Sequence, residues 1–379
     1  MKIYLCNLVQ RLQALKKISL LALFVTAGLT ACGGTGQDKG KVEDTSVSIS
    51  GAAIDGHLAR ATVFLDTNNN GTRDPWELFA FTDNDGYYSY NPITETDYCG
   101  VAAAIDQKQY CLRSRRLATT SVVIRIDGGY DILTGEPFVG QLSRRITLDG
   151  AKSVPFSVIT PLTSLLVDVP DKADQTAILN ALDLKESDLD IDYASSDKSI
   201  NSKLLNISLK IHKVVAVLAD RLTDTYTKIG DDFGTPNDAS AAVYTSLAKE
   251  ILESKNSLEQ VLSSTQSLTR VLDTSEKKLR NIYTENQYEL PNDLGSATSP
   301  DQLTRVAEVA AKINGLVNTL IPPEKSGLVQ KDILGNTKAL ESVIIKALNE
   351  TESSDNSIDN AVTFFTDTKK YRIGKFINH

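Results

Sequence analysis

The sequence predicts an α+β, multidomain protein, with a small all-β domain first and an irregular α-helical bundle after it. Three observations predict this. Up to about Ile159 the apolar runs are short, β-branched and separated by Gly, Asp and Asn. From Thr160-Pro161-Leu162-Thr163 onward, apolar residues recur about every 3.6 positions. The helical part shows no fixed repeat and no sustained heptad, which disfavours a solenoid or a coiled coil. The chain of 379 residues divides into 1–31, 32–46, 47–159 and 160–379.

The first segment is an export signal. Met1 to Lys17 carries Lys2, Arg11, Lys16 and Lys17 with no acid, and Ile18 to Leu29 is almost wholly apolar. This makes a charged n-region followed by an h-region too short to be a stable membrane span. It ends in Leu29-Thr30-Ala31-Cys32, which resembles the lipobox of bacterial lipoproteins. The resemblance implies cleavage before Cys32, diacylation of its sulfur (diacylglycerol) and acylation of its new amino group (palmitate). Several acyl chains on one residue anchor a protein stably to a membrane. Gly33 is not acidic, which in Gram-negative lipoproteins implies transfer to the outer membrane; the face on which the protein sits stays open. Gly33 to Ser46 reads as a flexible tether.

The β domain, 47–159, contains runs at Val47 to Ile49, Ala61 to Leu65, Leu78 to Thr82, Val122 to Ile126, Ile146 to Leu148 and Val154 to Ile159. Between the second and third lies Asp66-Thr67-Asn68-Asn69-Asn70-Gly71-Thr72-Arg73-Asp74-Pro75-Trp76-Glu77. Oxygen-bearing residues fall at loop positions 1, 3, 5, 7, 9 and 12, with Gly at position 6, the spacing of a twelve-residue Ca²⁺ loop. Ca²⁺ takes six to eight oxygens, so a chain curling round it must offer one at nearly every second residue. Asp66, Asn68, Asn70, Asp74 and Glu77 supply side-chain oxygens, Thr72 a carbonyl, and Gly71 the sharp turn. A polar, Asn-rich connection is the alternative. Three carboxylates against one Ca²⁺ point to the weak affinities of extracellular modules, on the order of 10⁻⁴ M.

The flanks do not look like an EF-hand: a strand enters the loop, and Arg73 replaces the apolar residue of position 8. Downstream, Leu78 to Thr82, Asp83-Asn84-Asp85-Gly86 and Tyr87 to Tyr90 read as a hairpin. Gly51 to Asn91 thereby resembles the calcium-binding, prealbumin-like β-sandwich repeats (B-type) of bacterial surface adhesins. The resemblance implies that Asp83 or Asp85 completes the metal shell; the alternative is that both only form the turn.

Of four cysteines, Cys6 leaves with the signal and Cys32 carries lipid. Cys99 and Cys111 remain in an exported protein, where oxidation is expected, and a disulfide between them would be worth ~3 kcal/mol of chain entropy. Arg113, Arg115 and Arg116 beside them read as a solvated loop or a ligand-binding patch.

In 160–379, Thr160 and Pro161 make a helix start. Helices are expected over Asp174 to Leu182, Ile200 to Leu222, Ala239 to Glu253, Ser257 to Tyr283, Asp301 to Leu320, Ser326 to Leu334, Thr337 to Leu348 and Ser357 to Thr366. Gly230 to Asn237 breaks the pattern. The Lys369 to His379 tail reads as a frayed terminus or an acid-seeking patch.

Composition narrows function. Cleavage takes four bases and no acids from a formal charge of −8, leaving −12, which disfavours nucleic acid as a partner. No haem-attachment motif, zinc spacing or Gly-rich phosphate loop occurs, and Ser195 with Lys198 is a chance Ser-x-x-Lys in a polar loop. His57, His212 and His379 read as structural or solvated. Two classes remain. One is a non-enzymatic, lipid-anchored surface protein whose calcium-bound sandwich presents a helical domain to an unidentified envelope partner for adhesion, scaffolding or assembly. The other is a solute-binding protein or hydrolase with its pocket in the helical domain.

Overall fold

In the computed structural model, the described strands all lie before residue 160 and the α-helices all after it, an α+β arrangement. The structure describes residues 46–115, 120–132, 135–148, 154–194, 201–227, 234–285 and 300–321. The signal segment, Cys32, the tether, the Ser195–Lys198 segment, His379 and the helices expected beyond Leu320 lie outside them.

The strands are β1 (Ser46–Ser48), β2 (Gly51–Ala53), β3 (Leu58–Ala59), β4 (Thr62–Asp66), β5 (Phe79–Phe81), β6 (Tyr87–Tyr88) and β7 (Tyr90–Asn91). They continue with β8 (Thr96–Asp97), β9 (Arg113–Arg115), β10 (Thr120–Asp127), β11 (Tyr130–Asp131), β12 (Gln141–Leu148) and β13 (Ser157–Ile159). The largest sheet has the order β12-β10-β4-β5 and is antiparallel throughout. A second runs β13-β2-β6, with β13 and β2 parallel. Pairs β1-β9, β3-β11 and β7-β8 make small ribbons.

Two expectations are corrected. The run from Leu78 to Tyr90 is not a hairpin: β5 pairs with β4, and β6 pairs with β2 in another sheet. The Asp83 turn is real, with Asp83 N–H donating to the Tyr87 carbonyl, but its side chain also holds the Tyr87 N–H and steers the exit strand away. The true hairpin is β4-β5, and the 66–77 loop is its connection. Arg113–Arg115, expected in a loop, is strand β9, paired with β1.

The helices are α1 (Pro161–Leu166), α2 (Lys172–Ala181), α3 (Ser202–Thr227), α4 (Pro236–Ser254), α5 (Leu258–Leu262), α6 (Thr265–Glu285) and α7 (Pro300–Leu320). α1 starts as its sequence predicts. The Thr160 hydroxyl accepts from the N–H groups of Leu162 and Thr163, with Pro161 at the first turn. The single helix expected over Ser257 to Tyr283 is two, α5 and α6. At the break Ser264 Oγ accepts from the Ser267 N–H, because a Ser-Ser-Thr cluster offers the backbone partners that compete with helix continuation.

All six residues of α1 are buried, and Thr163 and Ser164 bond the backbone of Ser143 on β12, tying the first helix to the central sheet. α3 is buried along most of its length and packs on α4 and α7. Strands and helices segregate at Thr160 as expected. The buried side chains on both sides of it nevertheless form one continuous cluster, from Ile49 to Ile321, so they share a core. No described helix is long and apolar enough to cross a membrane.

Candidate metal site

The 66–77 loop is built by its own side chains. Asp66, the last residue of β4, is buried, and its two carboxylate oxygens accept from the N–H groups of Asn70 (3.1 Å) and Gly71 (2.9 Å). Asn68 Oδ1 accepts from Asn70 N–H and Asn70 Oδ1 from Thr72 N–H, so each Asx side chain folds the chain after it. Asn69 and Gly71 sit in the left-handed region at φ 57° and 83°, and a Cβ on Gly71 would meet nothing within 4 Å. The glycine thus serves backbone conformation rather than space.

Asn68, Asn70 and Asp74 come together. Their amides donate to the same Asp74 oxygen, at 2.9 and 3.1 Å. Asp66 joins them through the shared Asn70 N–H. Glu77 does something else: its buried carboxylate accepts from the Thr67 N–H (2.7 Å) and the Asp74 N–H (3.1 Å), closing the loop's two ends on each other. For Thr72 the structure shows the bonded N–H.

Asp66 also has a permanent cation. The register Val123↔Asp66 and Arg125↔Phe64 sets Asp66 and Arg125 on one face of the sheet as diagonal neighbours. Arg125 Nε donates to Asp66 Oδ2 at 2.5 Å, with both groups buried. Its other nitrogens donate to Gln141 Oε1 and Asn69 Oδ1, and Gln141 in turn donates to the Gly71 carbonyl. The loop is rich in the hard oxygen groups that suit Ca²⁺, but Asn68 and Asn70 turn amide N–H groups to Asp74, so an ion there would need both amides to rotate; a carboxylate has lone pairs to spare beside two or three hydrogen bonds. Against this, Asp66, Asp74 and Glu77 do not meet: among the described residues no three His, Cys, Asp or Glu side chains are placed to hold a metal. The structure brings Asp66, Asn68, Asn70 and Asp74 together within the loop, and Glu77 braces its backbone. Three loop carboxylates, offset by Arg125 and by Arg73 within the loop itself, leave one negative charge.

Asp83 and Asp85 are engaged in the turn. Asp83 is buried and accepts from Asp85 N–H, Tyr87 N–H, Asn91 Nδ2 and the Tyr98 hydroxyl at 2.6 to 2.9 Å. Asp85 Oδ2 shares the Asn91 amide. Every one of these donors is a neutral group of the turn's own surroundings.

The described histidines are buried partners of carboxylates. His57 Nδ1 faces the Asp85 carbonyl and Nε2 faces Asp192 Oδ1 at 3.0 Å, two acceptors that both require a proton on the ring. Burial pulls the His57 pKa down, but the bond and charge of Asp192 and the Asp85 carbonyl outweigh it and leave it raised. Burial pushes Asp192 up, and His57 and the Tyr87 hydroxyl bring it below the ordinary value. His212 on α3 pairs with the buried Asp55 at 3.2 Å. Cys99 and Cys111 form a disulfide with Cα atoms 5.0 Å apart, closing the loop beside β9.

Arg125, Gln141 and Asp192 escaped the reading of the sequence. A signal existed for the first: a lone arginine inside Val122-Val123-Ile124-Arg125-Ile126, on a strand with neighbours on both sides, calls for a buried partner. Comparison with protein-family models, with curated proteins and with solved structures finds no match in any of the three.

Proposed function

We propose that this is a non-enzymatic, lipid-anchored envelope protein whose β domain is stiffened by a structural Ca²⁺ in the 66–77 loop. The observation that supports it is that Asn68, Asn70 and Asp74 lie together beside Asp66 on a backbone already turned by Asn69 and Gly71, so that rotation of two exposed amides would exchange their N–H groups for oxygens around an ion. Ca²⁺ would add a second crosslink, between Asp66 and Asp74, to the one that Glu77 already makes across the β4-β5 connection. Millimolar external Ca²⁺ would saturate a site with Kd on the order of 10⁻⁴ M.

In this proposal the 47–159 region is a prealbumin-like sandwich, Cys32 bears the lipid that places it at the outer membrane, and the irregular helical bundle is the surface offered to an envelope partner. Supporting a structural role, His57 and His212 are both held by carboxylates inside the core. Expression of the full chain in a Gram-negative host tests the anchor. The wild type is expected in the detergent-soluble membrane fraction and Cys32→Ser in the aqueous one; equal partition of the two contradicts the anchor.

A further inference from the structure

A pocket of about 240 Å³ opens between α3, α4 and the segment leading into β12. Its origin lies in residue size. On α3 the spacing His212, Val215, Ala216, Ala219, Asp220, Thr223 is a single helical stripe, and two of its members are alanines. Opposite stand Pro236, Ser240 and Tyr244, four residues apart on α4. Gly140 completes the gap: a Cβ there would come within 3.2 Å of Ser240 Oγ, which accepts the Gln141 N–H. Small residues on three elements hold the walls apart.

The walls are apolar, with Phe138, Val139 and Val215 beside the alanines, and the His212 ring stacks on Phe138. Among the lining residues there is no Lys or Arg, while Asp220 stands exposed at the rim. Two lining hydroxyls, Tyr244 and Thr223, are buried and meet no hydrogen-bond partner. A buried unsatisfied hydroxyl is costly, and Thr223, one turn beyond Asp220 on α3, can accept from a donor bound at the rim.

We propose that this pocket binds a small amine carried on an apolar, ring-sized body, with the body against Phe138, Val215 and Ala216, and the ammonium at the Asp220 rim. A cavity of about 150 Å³ holds benzene, so this volume takes a ring with a short side chain. The carboxylate and the absence of lysine and arginine from the lining, with His212 already paired to Asp55, select against acids. The inference is independent of the calcium loop.

Isothermal titration of the full chain with phenethylamine, 2-phenylethanol and phenylpropionate tests it. The amine is expected to bind with Kd on the order of 10⁻⁴ M, the alcohol at least about ten-fold more weakly, and the acid not at all. Ala216→Phe fills the pocket and abolishes amine binding. Asp220→Asn, at an exposed position, brings the amine down to the level of the alcohol with thermal unfolding unchanged, and decides the matter should Ala216→Phe fail to fold. Absence of saturable amine binding, amine affinity unaltered in Asp220→Asn, or preference for the acid would overturn the proposal.

Discussion

Two acidic turns lie within 20 residues of each other and are satisfied in opposite ways. Asp83 is surrounded by neutral donors, two backbone N–H groups, an amide and a phenol, and is complete without any cation. Asp66 takes two backbone N–H groups and then a buried guanidinium, while the exposed Asn68 and Asn70 turn their amide N–H groups to Asp74 and their oxygens to backbone N–H groups. Both turns carry Asp, Asn and Gly at short spacing. What separates an organising carboxylate from a cation-seeking one is the supply of donors around it, and that supply comes from residues far along the chain.

The largest effect is expected at the complete turn. Asp83→Ala orphans four donors, each worth about 1–3 kcal/mol when left buried and unpaired, so a loss of ~4 kcal/mol in urea unfolding is expected, the same with Ca²⁺ or chelator. Calcium-dependent recovery in that variant would erase the distinction between the turns.

Next comes Arg125→Met. Breaking a buried ion pair from one side costs roughly 3–5 kcal/mol, and the low end is expected because Asp66 keeps its backbone donors. Here Ca²⁺ should restore part of the loss, since the ion can take over the guanidinium's role. An equal deficit with and without Ca²⁺ would mean that Arg125 alone is the loop's cation.

The smallest effect is a pH slope at the His57–Asp192 pair. The folded pKa of His57 is raised above 6.5, so its contribution is complete below that value and is lost as pH rises through the folded pKa. Asp192 is lowered below 3.8, so its contribution holds above that value and is lost as pH falls through the folded pKa. Melting temperatures between pH 5.5 and 8.5 should fall with pH in the wild type and flatten in His57→Gln. An unchanged slope would place the titration elsewhere.

Local chemistry was legible in the sequence. Gly71 at position 6, Thr160 before Pro161, the shift of period at 160 and the Cys99, Cys111 pair each rest on residues close together, and the structure shows a positive φ, an N-cap, a change from strands to helices and a disulfide at those places. Pairing at a distance was not. Nothing within Leu78 to Tyr90 says that its two strands enter different sheets, because the partners β4 and β2 lie upstream. Asp192 lies over a hundred residues beyond His57 and has no local signature. Within the loop, spacing shows which residues carry side-chain oxygens but not what those oxygens meet: Glu77 accepts from the Thr67 and Asp74 N–H groups.

The most direct measurement is thermal unfolding of the protein from Gly33 onward in about 2 mM Ca²⁺ and in chelator, beside Asp74→Ala. With Kd on the order of 10⁻⁴ M, the ion stabilises by ~2 kcal/mol, a rise of a few degrees, and Asp74→Ala should abolish the rise. Identical melting in Ca²⁺ and chelator would contradict a structural ion, and leave the loop held by its own Asp and Asn turns with Arg125 and Glu77.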